Sequence, residues 1–123
     1  IDMLTVREKQ EDGTLTKYEP WQESPVLLIG DSFIGNLSRD AGEHGAGLRD
    51  HLSEQLGFPV DMLGTGGGGA NGTRIELVLD DGRLDGKKVV IWCFYNTNLI
   101  HVWTGEGWKE IPLPKTQSAK VEN

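Results

Sequence analysis

The 123-residue sequence has a single cysteine, Cys93, so neither an internal disulfide framework nor a multi-thiolate zinc site can be built from it. Long hydrophobic runs are missing too. Apolar stretches such as Val26 to Ile29 fall far short of the roughly 20 residues that a membrane-spanning helix requires, and no basic-then-apolar signal pattern precedes that stretch. Basic residues are scarce: 12 stand against 19 acidic ones, and the net charge of −7 repels phosphate backbones. The chain therefore reads as one soluble domain or part of one, with no nucleic-acid partner and no membrane insertion. No Gly-Lys-Ser/Thr follows the glycines, which excludes a Walker A loop, and no Asp-x-x-His occurs anywhere.

What is present is an alternation of strand and helix signals. Residues 3–9 and 14–18 flank Glu11-Asp12-Gly13, which predicts a β-hairpin. Pro25 to Ile29 is a short continuous aliphatic run, the pattern of a strand buried on both faces, and Gly30-Asp31-Ser32 ends it. From Phe33 to Leu56 the pattern is helical but broken by Gly42, Gly45 and Gly47. A firmer helix is expected from about Ala46, with Leu48, Leu52 and Leu56 as its buried stripe and Gly57 as C-cap. Phe58 to Leu63 is a second strand, and a glycine-rich run spans Gly64 to Gly72. Ile75, Val78 and Leu79 then give a helical face that stops at Asp81-Gly82, and Lys87 to Phe94 is a third strand.

The order β-α-β-α-β predicts a three-layer, flavodoxin-like α/β unit with a parallel sheet over residues 25–114. Residues 1–24 are expected to be a hairpin and linker, and 115–123 a disordered polar tail. His101 to Trp103 and Trp108 to Ile111 read as a further hairpin around Thr104 to Gly107. Three strands leave two bare edges and a thin core, which favours self-association or further covering elements.

Ligands of open α/β sheets bind at the carboxyl ends of the strands. There the sequence places Ser32, the glycine run, and Asn96 with Asn98. A serine, backbone N–H groups and an amide are the parts that acyl transfer needs: a nucleophile and donors for the oxyanion of the tetrahedral intermediate. Each part has a plainer reading. Gly-Asp-Ser is also a turn or helix N-cap, and a glycine run is also a connecting loop. Gly64, Gly66 and Gly69 satisfy G-x-G-x-x-G, but the acidic residue that closes the third strand of a dinucleotide site is missing, because Asp85 precedes that strand and Asn96 ends it. Of the three histidines, His44 and His51 read as surface residues. His101 lies a few residues past the third strand and is the local base candidate if the chain is complete. Cys93 reads as a small core residue, and Trp92, Trp103 and Trp108 as packing residues.

Val26 to Phe33, the glycine run and Asn96 resemble the three sequence blocks of the SGNH hydrolase superfamily. More narrowly, Gly30 to Phe33, Leu56 to Val60, Gly66 to Gly69, Arg74, Val89 to Phe94, Leu99 and Trp108 to Pro114 are similar to alginate O-acetyltransferase-like proteins, periplasmic domains that acetylate exported polysaccharide. The resemblance implies Ser32 as nucleophile with Asp31 in support. It implies oxyanion donors from Ser32, Gly67, Gly68 and Asn96, and substrate contacts from Arg74 and Asn98. It further implies a polysaccharide acceptor, an acyl donor, no cofactor or metal, and an extracytoplasmic site of action. In that family an Asp-x-His pair lies well upstream of the serine strand. On this reading the chain is the C-terminal portion of an SGNH-type fold, nearly inactive alone. Cys93 and Thr97 depart from the family pattern, which has an acidic residue and an arginine there. These departures keep open a second reading, a non-catalytic polysaccharide-binding or assembly module.

Overall fold

The computed structural model describes residues 4–35, 45–64, 66, 68–97 and 108–112. Near the amino end, β1 (Glu8–Lys9) pairs antiparallel with β2 (Leu15–Thr16) as expected. Gly13 closes their turn at φ +86°, a left-handed conformation that glycine adopts without strain, and Asp12 caps it by accepting the Thr14 amide and hydroxyl. This hairpin is short and exposed. The segment beyond it is anchored by Tyr18, which is buried and whose backbone carbonyl accepts the Arg49 guanidinium at 2.7 Å. Burial, reinforced by the nearby charges of Glu8 and Glu54, raises the Tyr18 phenol above its ordinary value.

The continuous aliphatic run becomes β3 (Val26–Gly30), buried at every position. Next come α1 (Ser32–Gly35), α2 (Leu48–Leu56), β4 (Asp61–Gly64), α3 (Gly69–Leu79) and β5 (Val89–Cys93). The sheet order is β4-β3-β5, parallel throughout, with Leu27 opposite Asp61 and Val90, and Ile29 opposite Leu63 and Trp92. A fully apolar strand belongs at the centre because both of its faces are then covered. Val26, Leu28, Ile34 and Val60 form one core with Leu52 of α2 against it, while Leu27 and Ile29 form the other with Leu77 of α3. Each buried Val, Leu or Ile side chain contributes roughly 1.5–3 kcal/mol. The protein is thus a mixed α/β molecule with a three-stranded parallel sheet and a small antiparallel hairpin.

Four expectations are corrected. Leu48 and Leu56 are 43% and 45% exposed, so they are not the buried stripe of α2; Arg49, Asp50 and Ser53 face inward instead. The reason is hydrogen bonding. Asp50 accepts the Gly47 amide and pairs with Arg49, and the Ser53 hydroxyl accepts the Val60 amide while donating to the Arg49 carbonyl. Polar groups with specific partners hold the inward positions, and Leu48 and Leu56 are left partly exposed. On α3 the buried residues are Ala70, Thr73 and Leu77, and Ile75 and Leu79 are exposed, because small residues let the helix approach the sheet closely. Finally, Trp108 to Ile111 carries no strand, and β4 begins only at Asp61. The proposed partner arm His101 to Trp103 and the tail from Lys115 lie outside the described residues.

At the amino ends of the strands, the fully buried Asp61 takes both Arg83 (2.6 and 3.0 Å) and Lys87 (2.8 Å). Arg83 also reaches Asp80, and Lys87 donates to the carbonyls of Gln22 and Ser24. This cluster fastens the turn after α3 and the segment before β3 to β4. An open cleft of about 240 Å³ lies beside it, lined by Glu23, Asp80, Asp81, Arg83 and Asp85 among others. β5 is the least covered strand of the parallel sheet: although every residue is apolar, Val89, Val90 and Trp92 are exposed.

Candidate active site

Ser32 sits in the first turn after the central strand, at the opposite end of the sheet from the Asp61 cluster. The last residue of the strand is glycine for lack of space: a Cβ at position 30 would collide with the carbonyl oxygen of Cys93 and crowd Ile34 at 3.0 Å. Close approach of β3 and β5 therefore requires Gly30. On the other side, the Thr73 hydroxyl of α3 donates to the Gly30 carbonyl at 2.8 Å, fixing the helix that leaves the glycine run against the end of β3.

Asp31 is 5% exposed and divides its carboxylate between two amides. One oxygen accepts the Phe33 N–H at 3.0 Å, and the other accepts the Tyr95 N–H at 2.7 Å. Hydrogen bonds to an ionised acceptor are among the stronger ones in proteins. The two bonds bracket Ser32 and join its turn to the chain leaving β5. The Phe33 and Tyr95 rings stack at 5.2 Å between centroids with 22° between planes. Ser32 is half-buried, and its hydroxyl makes no hydrogen bond among the described residues.

Other sequence candidates are placed as follows. Gly68 precedes α3 and its carbonyl accepts the Gly72 amide, so it belongs to the helix start. Asn96 is exposed in the turn after β5, next to the residue that Asp31 holds. Arg74 turns to the Trp108 ring, 5.6 Å from its centroid, and lies 3.4 Å from Asn71 Oδ1, an oxygen that also accepts the Lys109 amide. Trp108 in turn meets Trp92 and Phe94 edge to face, the packing role expected of Trp92 and Trp108. Cys93 is half-buried against the core and carries no partner thiol. His51 is half-buried on α2. Gly67, Asn98, His101, His44 and Trp103 lie outside the described residues. Among the described residues no three His, Cys, Asp or Glu side chains gather as metal ligands, and no helix is long and apolar enough to cross a membrane.

Sequence reasoning puts Phe33 and Tyr95 at the carboxyl ends of the strands without giving them a role, and it misses Thr73, whose bridge to Gly30 leaves no signal in the sequence. Comparison with protein families, with curated proteins and with solved structures finds no match to this chain.

Proposed function

We propose that this chain is the serine-bearing part of an SGNH-type O-acyltransferase or esterase that acts on O-acetyl groups of an exported polysaccharide. The observation that carries this reading is the placement of Ser32: its hydroxyl, without a hydrogen bond among the described residues, stands at the carboxyl end of the central strand between two backbone positions held by Asp31. A nucleophile needs this kind of fixed backbone and free oxygen. Ser32 Oγ attacks the acyl carbonyl carbon of the donor and loses its proton to a general base, and the donor's leaving group departs with a proton. A sugar hydroxyl, or water in an esterase, then attacks the acyl-serine and restores the Ser32 hydroxyl. Backbone N–H groups of Ser32 and the glycine run, with Asn96, would receive the oxyanion. Asp31 is a positioning residue in this scheme, because both of its oxygens are occupied by amides.

A second reading, a polysaccharide-binding or assembly module without chemistry, is favoured by Cys93 and Thr97, which stand where the resembled family has an acidic residue and an arginine. Treatment with a fluorophosphonate, followed by peptide mass spectrometry, separates the two. The enzyme reading expects an adduct on Ser32, faster with added imidazole as a substitute base and absent in Ser32→Ala. An unmodified Ser32, with and without imidazole, selects the binding module.

A further inference from the structure

We infer that Thr73 is a positioning residue for acyl transfer: its hydroxyl sets the first turn of α3, and with it backbone amides of the glycine run, against the turn that carries Ser32. The inference rests on the reading of Ser32 as the nucleophile and names the side chain that holds the oxyanion donors in register with it.

Thr73 is fully buried on α3, where its one hydroxyl proton lies between two carbonyls, that of Gly30 at 2.8 Å and that of Gly69 at 3.2 Å. Gly30 closes the central strand two residues before Ser32, and Gly69 opens α3. One oxygen therefore touches both halves of the candidate site. A bond to the carbonyl four residues back is common for threonine in a helix and is explained by the helix itself. The shorter bond leaves the helix, crosses 43 residues of sequence and fastens α3 to the end of β3. Valine has the same branched shape and could fill this buried position without a polar atom to satisfy. What the hydroxyl adds over a methyl group is the tie alone.

The first turn of α3 needs such a tie. It reads Gly69-Ala70-Asn71-Gly72, and glycine is the least favourable helix residue short of proline. Gly68 at the N-cap supplies no side-chain hydrogen bond. The amides of Ser32 and Gly69, one on each side of the tie, donate to no described group. Donors aimed at a developing oxyanion act only when they are held in place before the reaction, and a misplacement of about 1 Å costs on the order of 100-fold in rate. A helix end that slides past the Ser32 turn loses that register even when the fold survives.

The test is phosphonylation of the full chain by a fluorophosphonate with imidazole added as base, read at the Ser32 peptide by mass spectrometry. Ser32 Oγ attacks phosphorus, the P–F bond breaks, fluoride leaves and imidazole takes the hydroxyl proton, while the phosphoryl oxygen becomes the group that the amides receive. The maximal labelling rate and the half-saturating reagent concentration are measured separately for the unaltered chain, Thr73→Val, Thr73→Ser and Leu77→Val, each checked for folding by circular dichroism. Leu77→Val trims a core side chain of the same helix and leaves the hydroxyl in place, so it reports what general loosening does. The maximal rate is expected to fall about tenfold or more in Thr73→Val at near-constant half-saturation, to recover to within about threefold in Thr73→Ser, and to stay unchanged in Leu77→Val. Equal rates in the unaltered chain and Thr73→Val, no recovery in Thr73→Ser, or an equal fall in Leu77→Val overturns the inference. Thr73→Cys, which trades the hydroxyl for a weak thiol donor, takes the place of a valine variant that does not fold, with a fall in the same direction expected. An unaltered chain that does not label removes the reading of Ser32 and this inference with it, an outcome distinct from a labelled chain that is indifferent to Thr73.

Discussion

Asp31 accepts the backbone amide of Tyr95 at 2.7 Å, a bond spanning 64 residues of sequence that ties the turn after the central strand to the exit of an edge strand. The same carboxylate holds Phe33, so one buried side chain ties down the backbone on the far side of Ser32 as well. Replacing Asp31 by Asn keeps its shape but sets an NH₂ against one of the two amides. The expected cost is about 1.5–3 kcal/mol, the range for hydrogen bonds to a charged group. Urea unfolding with an unchanged slope measures it. A loss below about 0.5 kcal/mol, the level of ordinary surface substitutions, shows that the carboxylate does not hold the turn.

Asp61 predicts a larger effect. Its carboxylate is fully buried and faces the Arg83 and Lys87 side chains, so Asp61→Ala leaves the buried Lys87 without its carboxylate and Arg83 with only the more exposed Asp80. Breaking a buried pair in this way costs about 3–5 kcal/mol. The triple variant Asp61→Leu, Arg83→Met, Lys87→Met is expected to recover most of that loss, because apolar groups of similar volume need no partner. Thermal unfolding of both variants checks the pair, and a triple variant no better than Asp61→Ala contradicts the charge argument.

Tyr18 contributes to the fall of stability at alkaline pH. Its phenol is held neutral above the ordinary value by burial, so the unfolded chain releases the proton first as pH rises through about 10. Above that point the native state binds more protons than the unfolded one, and stability falls with increasing pH. Tyr18→Phe removes the share of this dependence that Tyr18 supplies. Between about pH 8 and 11, bracketing the ordinary phenol value, the urea midpoint is expected to drop further in the unaltered chain than in Tyr18→Phe. Equal drops exclude Tyr18 as the cause.

The order of elements was readable because it follows from patterns local in sequence: the aliphatic run of Val26–Ile29 for the central strand, Glu11-Asp12-Gly13 for the first turn, Gly57 for the helix end. The helix faces were not readable, since Leu48 and Leu56 satisfy helical periodicity as well as Arg49 and Ser53 do. What decides between them is the Tyr18 carbonyl and the Val60 amide, partners remote or irregular in sequence. At the candidate site, Ser32 and Asp31 were legible as an adjacent pair at a strand end. The second amide held by Asp31, the stack of Phe33 on Tyr95 and the turning of Arg74 onto Trp108 all depend on tertiary placement and leave no spacing to read.

The position of β3 between two strands that both come later in the chain also shapes how the molecule assembles. Neither partner is supplied by a tight hairpin, so loop-closure entropy opposes both pairings before any ladder bond forms. Until Val89–Cys93 arrives, one side of the most apolar strand presents open N–H and C=O groups to any neighbouring chain. Refolding is therefore a race between a slow intramolecular closure and a concentration-driven encounter, and dilution favours the native sheet.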